Sequence, residues 1–207
     1  MSALTSKSGR FLDAAAKVAT EVLAPWVWVG ALPFAIAWHA TESLLPTVLW
    51  GLLIAVTGAA IPMAIIVRGA QLGRWVSHHV TNREGRWIPL LACVASLGVG
   101  WIVLAIAGGP AEMHAVTAAI FSVLVASMVI TFALRWKISL HAGLAFCSVA
   151  VLAIAFGPVL LVLALLAVLV GWSRVHLQAH TYMQVLAGGA LGTALGGAAY
   201  WLITTFS

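Results

Sequence analysis

The side chains able to do chemistry in this 207-residue chain are gathered in three short stretches. The first runs from His78 to Arg86 and includes His79, Arg83 and Glu84. The second runs from Arg135 to His141, with Lys137 and Ser139 between them. The third runs from Ser173 to Gln184 and contains Arg174, His176 and His180. Imidazoles serve as nucleophiles or proton donors, and guanidinium and ammonium groups suit phosphate oxygens. Only Glu84 is present to neutralise these cations, so a phosphate group is the simplest partner. Helices starting near Trp87, His141 and His180 add unsatisfied N–H groups and positive dipole ends, which also favour an anion. His176 precedes His180 by four residues, a spacing that suits a metal or haem, yet no carboxylate or thiolate lies beside it in the sequence. No metal and no cofactor are therefore expected. The plainer reading of Arg68, Arg74 and Arg135 is that they snorkel to head groups and set topology, and His39, His78 and His114 fit an interface in the same way.

The elements that must position these stretches are membrane helices. The chain is 63% hydrophobic and 7% charged, whereas soluble domains carry about 25% charged residues. Apolar runs occupy 22–40, 45–68, 87–107, 113–134, 141–156, 158–172 and 183–205, each near the ~20 residues that cross a bilayer. Taken as one helix, 141–172 is about 48 Å long, well beyond a ~30 Å hydrocarbon core. Gly157-Pro158 breaks it, giving seven spans, or six were it unbroken. The expected fold is an all-α polytopic bundle forming a single integral membrane domain over 1–207. All ten Lys and Arg residues then fall on one side, opposite Glu42 and Glu112. The positive-inside rule makes that side cytoplasmic, with residues 1–20 a cytoplasmic segment and no secretory signal, in a multi-pass plasma or inner membrane protein. The net charge of +5 comes from helix-end residues and does not point to nucleic acid. Trp75, Trp87, Trp136 and Trp172 read as interfacial anchors. Gly188, Gly192 and Gly196 have the spacing of close helix packing within the chain, and Cys93 and Cys147 read as small core residues.

The third stretch carries a resemblance. Ser173-Arg174, five residues, His180, three residues and Gln184, running on into a glycine-rich helix, resembles the third motif of the type 2 phosphatidic acid phosphatases (PAP2), where the last position is Asp. Ser139-Leu140-His141 is similar to that family's second motif, and His79 to Arg86 has the spacing of its first. The resemblance covers about 79–190 and implies a PAP2-like core. It implies His180 as nucleophile forming a phosphohistidine and His141 as general acid, with Gln184 in the orienting position. It further implies Arg174, Arg86, Arg83, Lys137, Ser139, Ser173 and His79 around the phosphate. Lys137, Leu140, His79 and Trp87 stand where the family has Pro, Gly, Lys and Pro. The expected activity is hydrolysis of a lipid phosphomonoester or a prenyl (di)phosphate. Two alternatives stay open: a non-catalytic phosphate-lipid binder, and a small transporter or structural protein whose cations only set topology.

Overall fold

The computed structural model describes the backbone of residues 2–74 and 87–207, and side chains from residue 9 onward. The described residues form helices and connectors with no strand. In chain order these are α1 (Ser2–Val22), α2 (Pro25–Thr41), α3 (Leu44–Ala55), α4 (Ile61–Gln71), α5 (Trp87–Ile106), α6 (Ala111–Phe132), α7 (Leu140–Phe156), α8 (Ala164–His176), α9 (Tyr182–Leu191) and α10 (Gly197–Phe206). Five continuous helical stretches are long and apolar enough to cross a membrane: Leu44–Gln71, Trp87–Ile106, Ala111–Phe132, Pro158–His176 and Tyr182–Phe206. A sixth arises if Gly9–Val22 and Pro25–Thr41, bent by 43°, count as one span. The apolar helix α7 is shorter, at 17 residues. All seven expected runs are thus helical, and the protein is a polytopic membrane helix bundle.

Local chemistry explains the breaks. Gly157 adopts φ 105°, which glycine reaches without a Cβ clash, and Pro158 opens the 3₁₀ turn Pro158–Leu163. Between α3 and α4 the chain widens into a π-turn, Val56–Ala60. Pro62 follows it and has no N–H to return to the preceding turn. The carbonyl of Thr57 instead accepts from Ser96 Oγ at 2.6 Å.

Helix α7 is the hub, packed against α2, α6, α8, α9 and α10. Its partner faces are set by glycine. A Cβ on Gly188 would run into the carbonyl oxygen of Ser139, one on Gly192 into that of Gly143, and one on Gly196 into Cys147 Sγ. The two rows, 188/192/196 and 139/143/147, both advance by four residues, so the backbones meet along one line. Cys147 is buried there, and Cys93 packs at the edge of the same core; both are free thiols. Outward faces are apolar, with Val159 at 73%, Leu165 at 70% and Ile106 at 82% exposure, as lipid-facing helices require.

The amino-terminal helix α1 does more than mark a side. It lies along α8, burying Ala16, Ala19 and Thr20. Thr20 Oγ1 bonds Ser173 Oγ at 2.8 Å, and Asp13 Oδ1 bonds His176 Nε2 at 2.8 Å. The sequence reading found no carboxylate beside His176; the fold brings one from 163 residues away.

Candidate active site between two loops

The site begins with the end of α8. Gln178 takes a left-handed conformation (φ 53°), which lets the chain reverse: the N–H groups of Ala179 and His180 both donate to the Arg174 carbonyl, at 3.0 and 3.1 Å. The Ala179 bond, together with that from the Gln178 N–H to the Val175 carbonyl at 2.9 Å, is the double closure of a helix C-terminus, with Gln where Gly is usual. It brings the His180 backbone onto the carbonyl of Arg174, six residues earlier in the chain.

The next helix starts at once. Thr181 is the N-cap of α9, accepting from the Gln184 N–H at 3.3 Å, while Gln184 Oε1 accepts from the Thr181 N–H at 3.2 Å. This reciprocal capping box fixes the Gln184 side chain. The same Oε1 lies 3.0 Å from His180 Nδ1. An amide oxygen can only accept, so Nδ1 carries the ring proton and Nε2 carries the lone pair. Gln184 therefore holds the His180 tautomer without supplying a negative charge.

The second loop is clasped to the first. Lys137 Nζ donates to the Ala179 carbonyl at 2.7 Å, and the Ser139 N–H donates to the Gln184 carbonyl at 3.2 Å. Ser139 also caps α7, its Oγ accepting from Ala142 N–H at 3.5 Å. Its own hydroxyl proton remains a donor. His141 follows in the first turn of α7. His141, His180 and Ser139 are all buried, at 9%, 6% and 1% exposure.

Arg174 dominates the electrostatics. Its side chain is 2% exposed, and neither Nε nor Nη2 has a hydrogen-bond partner among the described residues. Glu21, at the end of α1, is the acid whose charge reaches it. A buried guanidinium with unmet donors is costly unless an anion completes it.

Ser173 is hydrogen-bonded on two sides. Its single proton goes to the Val170 carbonyl at 2.7 Å, and its oxygen meets Thr20. The contact with Thr20 fastens α1 to α8 beside Arg174. His141 faces an apolar cavity of about 130 Å³. Pro89 and Leu90, from the first turn of α5, share that wall, so the starts of α5 and α7 do adjoin. His79, Arg83 and Arg86 lie outside the described residues.

Sequence reasoning passed over Thr181, Thr20 and Asp13. Thr181 was legible, because Thr-x-x-Gln before an apolar run is a capping-box signature. Thr20 and Asp13 act across the fold and left no local signal.

Comparison with known families gives one result: the family described as PAP2 superfamily matches residues 138–207. The match contains Ser139, His141, Arg174, His180 and Gln184 and stops short of the first stretch. It runs beyond residue 190, through the glycine helix. No curated protein and no solved structure gives a significant match.

Proposed function

From residues 138–207 as a PAP2-superfamily segment in a membrane helix bundle, we propose that the protein is a membrane lipid-phosphate phosphatase. The carrying observation is Arg174, a buried cation in the last turn of α8 whose Nε and Nη2 have no partner among the described residues, six positions before His180. Phosphate supplies the oxygens that pair with such a fork.

His180 Nε2 attacks phosphorus, forming a P–N bond as the bridging P–O bond breaks. His141 gives its proton to the departing alkoxide. Water then attacks the phosphohistidine, His141 takes the water proton, and inorganic phosphate leaves. Arg174 and Ser139 hold the phosphoryl oxygens, with the N–H groups at the starts of α7 and α9 turned to the same charge. Lys137 belongs to this set through its hold on the Ala179 carbonyl. Arg83, Arg86 and His79 complete the anion site from the first stretch. Substrates are a lipid phosphomonoester or a prenyl (di)phosphate, and the basic ends of the helices face the cytoplasm of a plasma or inner membrane.

Phosphate release by detergent-purified protein, across lipid mono- and diphosphates, tests this. Release that disappears in His180→Ala supports hydrolysis. A folded protein that binds lipid phosphate but releases none is the non-catalytic binder that Gln184 favours.

A further inference from the structure

The amino-terminal half, outside the PAP2 match, is shaped around an apolar channel that ends at His141. The inner cavity of about 130 Å³ is walled by His141 and Leu144 of α7, Leu90 and Cys93 of α5, Met63 of α4 and Val29 of α2. The cavity thus joins three elements of the amino-terminal part to the first turn of α7. A second space of about 780 Å³, open to the outside of the bundle, runs between α2 and the α3–α4 stretch. It shares Trp26, Ala59 and Met63 with the inner cavity, so the two adjoin. Its walls include Gly30, Ala31, Ala55, Ala60 and Ala64, small side chains that leave a smooth trough. From Leu52 to Val67 the trough extends about 22 Å along the helix, at 1.5 Å per residue. The π-turn Val56–Ala60 lies at the junction, and Gly58 and Ala59 from it form the wall. Such turns commonly mark functional sites.

We propose that this channel holds the hydrocarbon of the leaving group, and that the substrate is a prenyl or alkyl phosphate, in which hydrocarbon begins next to the bridging oxygen. The inference rests on the phosphatase reading above, with His141 protonating that oxygen. An apolar cavity of about 150 Å³ takes a benzene, so the inner cavity fits roughly five carbons, about one isoprene unit. The trough then takes the rest of the chain and opens it to lipid. A glycerolipid would put paired ester groups in the inner cavity instead. Among the described residues, that wall offers besides His141 the Trp26 indole and the weak Cys93 thiol as side-chain donors. An ester carbonyl buried there without a donor loses its hydrogen bonds to water and is disfavoured.

The test compares farnesyl monophosphate, dioleoyl phosphatidate and butyl phosphate as substrates of the full chain and of Met63→Trp. Wild type should prefer farnesyl phosphate to phosphatidate. Met63→Trp should lower the farnesyl-to-butyl ratio of kcat/KM about tenfold, the scale of misfitting a methylene or two. An unchanged ratio, or a wild-type preference for phosphatidate, overturns the proposal. A diazirine-bearing farnesyl phosphate provides the arm that needs no turnover. Its label should fall within 24–29 and 58–66 and be displaced by farnesyl phosphate but not by phosphatidylcholine. Label displaced by phosphatidylcholine, or spread over the outer face of Pro158–His176, marks the channel as an ordinary lipid groove and overturns the assignment. Specific labelling without phosphate release would leave the channel standing while the phosphatase reading falls.

Discussion

Helices α7 and α9–α10 meet backbone to backbone, whereas α2 and the α3–α4 stretch meet at one end and part at the other. In the first pair, glycines at 188, 192 and 196 leave no room for a methyl group between the chains. In the second, Phe34 lies over Gly51 and the Thr41 and Thr47 hydroxyls bond at 3.3 Å near the Glu42 turn. Toward Pro25 and Gln71 the same helices open into the trough and cavity. Both regions are apolar, so hydropathy alone does not separate them. The tight pair holds two polar loops in register, Ser139 against Gln184 and Lys137 against Ala179. The open pair makes room. Phosphate chemistry needs the first property, and a variable hydrocarbon needs the second.

The largest effects should come from the fixed region. Gln184→Leu removes both the His180 contact and the bond to Thr181 N–H. It should cut kcat by about 10²-fold or more, since losing an orienting acceptor in a Ser-His-Asp triad costs about 10⁴, and lower stability by about 1 kcal/mol through the lost cap. Gln184→Glu is the sharper partner. It keeps the reach of Gln, preserves the capping box and adds the missing charge, so kcat should rise by about tenfold or more. Steady-state phosphate release reads both. An unaltered rate in the pair would separate Gln184 from the chemistry.

Packing should divide the regions next. Gly192→Ala places a methyl against the Gly143 backbone, which cannot rotate away, and should cost about 3 kcal/mol. Gly30→Ala meets only Ala59 Cβ at 4.0 Å and should gain up to about 1 kcal/mol of helix propensity. Melting in detergent measures each; equal shifts would erase the contrast. A smaller loss belongs to Thr20→Val, which removes one buried hydroxyl partner of Ser173 and should cost about 1 kcal/mol. The smallest change is Gln178→Gly, which relieves a left-handed residue and should stabilise by about 0.5–1 kcal/mol without altering turnover.

How much could be read beforehand follows the same line. The apolar runs, the break at Gly157-Pro158 and the 188/192/196 spacing are local patterns, and each reappears in the fold. The His180–Gln184 contact spans four residues and is equally local. The grip of α1 on α8 joins Thr20 to Ser173, and the cavity draws on five helices. Neither has a period or a motif, because long-range packing is decided by shape. The Thr20–Ser173 bond joins positions 153 apart and so has no local signature.

The central claim is that His180 carries the phosphoryl group. Rapid quenching of the purified protein with a ³²P-labelled prenyl monophosphate, followed by peptide mapping, tests it most directly. The expected result is a phosphohistidine at His180 that forms and decays within the turnover time and is absent from His180→Ala. Phosphate release with no labelled peptide, or the same label in His180→Ala, would contradict it.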